Sequence, residues 1–517
     1  NNGKLYLSGE YRKHNFTNRS GYDPRNNYFS LPDGSPDPRE TTFGKLDHRF
    51  GDADQKDISG FLNGSMMLNN SMQLYAFGGF TYREGLSGGF YRRSSDDRNV
   101  RAIYPDGFLP MIRSKINDGS AAAGLKGNLS GWNYDLSETF GGNSFKFEVT
   151  NSLNTSMGLQ SPKEFNAGTL KFYQSTSNLD LVKQVDIGTS APLNMATGLE
   201  FRWENYQIDA GEPSSYENGG EPILDGPNAG KPAAAGAQVF PGFSPVNVTD
   251  ETRTNVGIYV DLENNILPQW TVDIAGRFEH YSDFGSTLTG KFATRYEFIP
   301  QFSIRAAISN GFRAPSLAQE YFSAISTNFI NGVPYEVGTF PVSSPVAKAL
   351  GAKDLDAEKS LNISAGFTST FTNFTLTVDG YFIKITDRIV LTENFVGTGV
   401  QNFLQSKGIN ASGGRFFTNA LDTETKGIDI TARYGFRFSR DLTLRLTAAL
   451  NFNETNITNE DEIVTPPELQ AVTTIPMLGR VEMGRFERGQ PLKGWDFVAN
   501  LTWKDLSIMA RTVRVGK

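Results

Sequence analysis

Leu442-Thr443-Leu444-Arg445-Leu446-Thr447-Ala448-Ala449-Leu450-Asn451-Phe452 decides how the rest of the chain is read. In an extended strand Leu442, Leu444, Leu446, Ala448, Leu450 and Phe452 share one face, and Thr443, Arg445, Thr447, Ala449 and Asn451 share the other. The segment before it repeats the pattern, with Ile428, Ile430, Ala432, Tyr434, Phe436 and Phe438 against Asp429, Thr431, Arg433, Gly435 and Arg437. The same alternation recurs around Phe374–Phe382, Phe302–Ile308, Trp270–Phe278 and Leu199–Trp203. In each, one face is apolar and the charges fall on the other.

A soluble sandwich would pack such faces on a second sheet and divide the chain into units of about 100 residues. Nothing here marks a domain boundary. The strands also run about 10–15 residues, beyond the usual ~5–6 and suited to a strand tilted through a bilayer. About 17 strands are expected: 3–12, 57–68, 72–82, 119–130, 132–142, 171–187, 193–209, 252–266, 270–281, 286–298, 302–312, 361–370, 374–385, 423–438, 442–453, 495–503 and 506–515. The pattern is faintest over 3–12 and 120–142.

The connections alternate in length. Very short turns fall at Asn69-Asn70-Ser71, Ser130-Gly131, Pro268-Gln269, Pro300-Gln301, Thr372-Asn373, Ser439-Arg440-Asp441 and Lys504-Asp505. Between them lie long polar stretches, about 13–56, 83–119, 143–170, 210–251, 313–360, 387–421 and 454–494, with one short exception near Ser282–Gly285. Short periplasmic turns and long extracellular loops are the pattern of a transmembrane antiparallel β-barrel, an all-β fold. A compact soluble domain rarely carries seven unstructured loops of this length.

Composition agrees with a wall that has one wet face. The 517 residues carry a net charge of −7, with 38% hydrophobic residues, 39 Phe, 53 Gly and no Cys. Mean hydropathy is −0.37, and no stretch approaches the ~20 apolar residues of a membrane helix. The absence of Cys excludes disulfide scaffolds, thiol catalysis and thiolate metal sites. His14, His48 and His280 are too few and too scattered for histidine chemistry, and the acidic balance argues against nucleic acid as a partner. No phosphate loop, dinucleotide fingerprint or His-Glu-x-x-His occurs, so no catalytic residue, cofactor or metal is assigned. Gly88-Gly89 and Gly413-Gly414 read as loop glycines, and Gly219-Gly220-Glu221 with Asp225 as a turn.

Trp270, Phe298, Phe302, Phe371, Phe374, Phe436, Phe438 and Trp503, at strand ends, fit interfacial girdles. Glu200, Arg202, Glu204, Arg277, Glu279, Arg305 and Arg433 are assigned to the lumen face, where mixed signs suit cross-strand ion pairs. Charge reversal at Arg277 or Arg305 is expected to disturb the lumen and leave insertion intact.

Asn310-Gly311-Phe312-Arg313-Ala314-Pro315-Ser316-Leu317, with Glu320 after it, resembles the barrel hallmark of TonB-dependent outer-membrane receptors. Thr425-Lys426-Gly427-Ile428-Asp429, Tyr381–Ile389 and Tyr281-Ser282-Asp283-Phe284-Gly285 resemble further segments of that family, in order and spacing. Asp97-Arg98-Asn99, Tyr104-Pro105 and Gly107–Pro110, with Gly198–Tyr206 and Ser214–Gly220, resemble a subgroup with large outer loops. Gly311, Phe312, Arg313, Pro315 and Ser316 are expected to anchor a loop to the barrel rim. The resemblance implies a 22-stranded barrel around an N-terminal plug, in the outer membrane of a Gram-negative bacterium. On that view residues 1–517 are a partial barrel domain, with the plug, the TonB box and the last strands outside it.

The implied function is binding and import of a scarce solute, a siderophore, saccharide or similar molecule. A TonB-type energy-coupling complex would drive it through the plug, and outer-membrane lipid would surround the wall. Tyr104, Phe108, Tyr216, Phe322, Phe329, Tyr335, Phe416 and Phe417 are loop aromatics suited to stacking on such a ligand. The alternative is a passive porin or an adhesin-type barrel without energy coupling.

Overall fold

The computed structural model describes residues 3–330 and 333–516. Its strands are β1 (Gly3–His14), β2 (Asp54–Asn69), β3 (Met72–Gly88), β4 (Met111–Leu129), β5 (Trp132–Thr150), β6 (Phe165–Val185), β7 (Leu193–Asp209), β8 (Thr249–Leu267), β9 (Trp270–Tyr281), β10 (Gly285–Ile299), β11 (Phe302–Arg313), β12 (Ala324–Ile330), β13 (Val333–Thr339), β14 (Glu358–Phe371), β15 (Phe374–Leu391), β16 (Phe395–Val396), β17 (Ala411–Arg415), β18 (Phe417–Arg437), β19 (Leu442–Ile457), β20 (Lys493–Trp503) and β21 (Leu506–Gly516). Five short helices lie between them: α1 (Pro213–Tyr216), α2 (Leu317–Tyr321), α3 (Pro345–Ala349), α4 (Thr398–Ser406) and α5 (Arg480–Arg488).

Seventeen strands form one sheet, β1 to β11 and then β14, β15, β18, β19, β20 and β21. Each pairs antiparallel with the one before it in this series, from β1–β2 to β20–β21. Among the described residues no ladder joins β1 to β21. These are the seventeen strands that the alternation marks. β12, β13, β16 and β17 make a separate four-stranded sheet inside the loops.

At one end the connections are short, at 70–71, 130–131, 186–192, 268–269, 300–301, 372–373, 438–441 and 504–505. At the other they span 15–53, 89–110, 151–164, 210–248, 282–284, 314–357, 392–416 and 458–492. Several strands reach further than their apolar alternation. Residues 111–118 and 143–150, expected in loops, continue β4 and β5. Beyond Gly142 the apolar residues of β5 change face: Phe145, Phe147 and Val149 lie opposite the face of Phe140, and Val149 is buried with Phe165, Ala167 and Ala237.

Register fixes the faces. Leu199, Ile258, Phe278 and Leu288 sit side by side on one face, as do Ile308, Ile363 and Phe382, and Val378, Ile430, Leu450 and Trp495. Many of these side chains are exposed although apolar, which suits a wall facing lipid rather than water. Near the short turns the same face carries Phe298, Phe371, Phe438 and Trp503, all exposed. Glu138 of β5 departs from this pattern within the span. It pairs with Ala123 and Ser177, on the face of Leu136 and Leu179, and the hydroxyls of Ser175 and Ser177 both bond its carboxylate.

The abundant glycines have a steric use on the wall. A Cβ at Gly427 would fall inside the ring of Tyr381, so the glycine of the Lys426-Gly427 pair leaves a slot for a tyrosine on the neighbouring strand. Tyr259 lies over Gly198 in the same way and donates to Asp180 at 2.6 Å.

The long loops are folded, which their polar composition hides. One core gathers Phe340, Leu350, Phe395, Val400, Leu404, Phe416 and Leu469 from three loops and the small sheet. A second gathers Val100, Phe108 and Leu153. Buried amides pin the backbone where apolar residues are few: Asn154 donates to the carbonyls of Ser214 and Glu217 at 3.0 and 2.9 Å, and Asn27 to that of Asp106 at 3.0 Å.

Candidate functional site

The polar face of the wall carries a run of ion pairs. Arg202 bonds Glu200 at 2.6 Å, and Arg277 bridges Glu200 at 3.2 Å and Glu279 at 2.5 Å. Tyr281 donates its hydroxyl to Glu279 at 3.0 Å. Further round, Lys291 bridges Asp261 and Asp273, at 3.3 and 2.6 Å, and Arg305 forks onto Asp379 at 2.5 and 2.8 Å. Gly366 makes room for that carboxylate, since a Cβ there would stand 2.1 Å from Asp379 Oδ1. Glu200, Arg202, Glu204, Arg277, Glu279 and Arg305 therefore share the face opposite the apolar one, by register and by contact. Arg433 shares it too, but has no ion-pair partner among the described residues. Asp273, Arg295, Arg305 and Asp379 border a hollow of about 310 Å³ on this face.

The Gly311–Ser316 segment works as an anchor at the rim. Arg313 pairs with the buried Glu358 carboxylate of β14, which also accepts the Ile389 N–H at 2.8 Å. One ion pair thus holds the ends of three strands. The Pro315 carbonyl accepts from Arg253 at 2.6 Å. Ser316 caps α2, accepting from the Gln319 N–H at 3.1 Å while Gln319 accepts from the Ser316 N–H at 3.0 Å. Phe312 lies next to Tyr281 and Phe284, so two of the resembling segments touch. In the Tyr381–Ile389 segment the ladder slips between Ile385 and Arg388, and Asp387 takes a positive φ of 59°. This bulge aims Arg388 at the Phe486 ring, 4.7 Å away.

The loop aromatics are placed differently from the stacking surface expected of them. Phe416 is fully buried and Phe108 is 3% exposed, stacked on Tyr104 at 4.5 Å. Phe417 packs beside Val342, Leu355 and Ile389, and Phe322 meets Phe243 edge-on at 6.3 Å. Tyr216 is half-buried at the end of α1. These rings support the loops, because a folded loop recruits its largest apolar side chains into its own core. The side chains of Phe329 and Tyr335 lie outside the described residues. Among the described residues the exposed rings of the long loops are instead Phe16, Tyr22, Phe50 and Phe90, and no sequence signal separates them from the buried ones. Asp225 pairs with Arg101, so the 219–225 segment is a braced turn. Gly413 and Gly414 belong to β17 rather than to a loop, and Gly414 is covered by the Phe340 ring.

A family model described as TonB dependent receptor-like, beta-barrel matches residues 1–516. The chain belongs to the TonB-dependent receptor β-barrel family. Among solved structures it is similar to a mutant ferric enterobactin receptor of Pseudomonas aeruginosa, at a TM-score of 0.57 and 13% identity, over 99% of this chain and 63% of that one. It is similar to the siderophore receptor PirA of Acinetobacter baumannii at 0.54 and 13%, over 91% and 59%. It is also similar to the RagAB peptide transporter at 0.57 and 11%, over 90% and 58%. At such identities the likeness is one of fold. A 53-residue stretch, 10% of this chain, is 38% identical to 9% of the vitamin B12 transporter BtuB of Vibrio cholerae serotype O1. The chain therefore spans less than two thirds of the structural relatives and a small part of the transporter.

Proposed function

We propose that this chain is most of the wall of an outer-membrane receptor that binds a scarce solute and imports it with energy relayed by a TonB-type complex. The observation that carries the reading is the division of the wall into two faces. One is apolar and ringed by aromatics at the short-turn end, and the other is a run of paired charges that suits contact with a polar plug. Seventeen strands leave β1 and β21 running in the same direction, and a bacterial barrel closes with an even number. The missing strands and the plug are assigned to sequence outside residues 1–517.

The relatives are named as receptors or transporters of ferric enterobactin, other siderophores, peptides and vitamin B12. For this chain we favour a siderophore or similar chelate, with a saccharide as the next class. Tyr22, Phe50 and Phe90 replace the buried rings as the surfaces for stacking. A binding screen on the full-length protein in lipid nanodiscs, with ferric catecholates, ferric hydroxamates, oligosaccharides and cobalamin, tests this. Saturable binding of one class, weakened at least tenfold by replacing Tyr22 and Phe50 with Ala, is expected. Binding of none of these, with simple ion conductance instead, would favour a passive pore.

A further inference from the structure

The anchoring motif ends in a half-buried carboxylate with no hydrogen-bond partner among the described residues. Leu317 of α2 is buried against Tyr206, Ile208 and Phe243, which seats the helix on the upper wall. Glu320 Oε2, one turn on, is closed from solvent and makes no hydrogen bond. Asp283 of the 282–284 turn faces it, as do Arg253 of β8 and Asp354 of its own loop. Arg253 is already committed. Its Nε and Nη2 bond Glu204 at 2.8 and 2.5 Å, and its Nη1 is shared between Asp283 at 3.3 Å and the Pro315 carbonyl at 2.6 Å. The remaining titratable neighbours are Tyr321, itself facing Glu251, and Tyr281, whose ring lies 5.4 Å from Arg253. One guanidinium thus serves Glu204 and Asp283, and Glu320 adds a third carboxyl to which that guanidinium makes no hydrogen bond.

We propose that Glu320 is a proton-operated catch: α2 docks on the wall while Glu320 is neutral, and ionisation of Glu320 loosens α2 and the 314–357 loop behind it. The proposal concerns the loop and stands whichever solute the receptor carries. Burial, with Asp283 adding to it, pushes the Glu320 carboxyl up to about 7. In an undocked helix it would sit near the ordinary ~4.3. Docking then favours the protonated form. Its stabilisation is complete below about 4.3, falls as pH rises through about 7, and is absent above.

Hydrogen exchange of the full-length receptor in nanodiscs tests this between pH 4 and 8.5. The reporters are the amides of Gln319, Glu320 and Phe322, which bond back to Ser316 and Ala318. Taking the ratio of Glu320→Gln to the parent at each pH cancels the intrinsic pH dependence of exchange. Equal protection near pH 4 is expected, with the parent falling at least roughly tenfold behind the variant by pH 8.5. Asp283→Asn, which leaves α2 untouched, is expected to move the parent's midpoint down. A ratio that stays at one across the range, or a parent midpoint at 4–5, would overturn the proposal.

Discussion

Ile430 and Thr431 are adjacent residues of β18, and the same substitution should have opposite consequences at the two. Ile430 lies between Val378 and Leu450 on the apolar face, while Thr431 lies between Thr377 and Ala449 on the charged one. Seven residues separate Ile430 from Arg437, the last residue of β18. At ~3.3 Å per residue and a tilt of about 40°, Ile430 stands roughly 18 Å above the short-turn end, near the middle of the apolar band. Arginine there costs about 2–4 kcal/mol. At Thr431 it enters a wet face beside Asp429, and the change should stay within about 1 kcal/mol. The two variants should therefore differ by about 2–3 kcal/mol, or roughly 30- to 150-fold in folding equilibrium. Guanidinium titration of the full-length protein refolded into lipid vesicles measures this. Equal costs, or a larger cost at Thr431, would refute the assignment of faces, because a one-residue slip exchanges them.

Three further substitutions test the wall and its rim. Glu138→Leu removes the one carboxylate placed on the apolar face at this level of β5, and should leave stability unchanged or raise it by about 1–2 kcal/mol in the same titration. Gly366→Ala should cost about 1–3 kcal/mol, because its Cβ would stand 2.4 Å from the Val378 carbonyl; adding Arg305→Ala should not restore stability, since the backbone clash remains. Arg313→Ala leaves the buried Glu358 with the Ile389 N–H as its remaining partner, and should cost about 1–3 kcal/mol. Hydrogen exchange at the upper ends of β11, β14 and β15 should rise with it, whereas exchange near the 372–373 turn should not.

The strands were legible because a wall between lipid and lumen imposes period-2 alternation on every residue that crosses it. Leu442–Phe452 and Ile428–Phe438 show it without interruption, and their register follows directly. The signal fades over 120–142 for a visible reason: the outward positions there include Ala121, Ala123, Gly127, Glu138 and Gly142 among Leu125, Leu136 and Phe140, so small residues and a carboxylate dilute the pattern. The strand ends at 111–118 and 143–150 escape the pattern because their apolar residues change face, Phe145, Phe147 and Val149 lying opposite the face of Phe140. The rim anchor was legible as a motif, but Arg313–Glu358 and Arg253–Pro315 join residues 45 and 62 positions apart, which no local pattern encodes. The loop aromatics illustrate the limit most clearly. Phe416 and Phe50 look alike in sequence, yet one fills a loop core and the other is 75% exposed, because loop packing is decided by tertiary contact.

Solute accumulation by cells tests the central claim most directly. Cells expressing the full-length protein, given the ligand that the binding screen selects, should accumulate it saturably and against its gradient. Accumulation should stop when a protonophore collapses the proton motive force or when the TonB-type complex is deleted, while surface binding persists. Uptake that equilibrates without accumulating, does not saturate and continues without the energy source would contradict the account and describe a passive barrel.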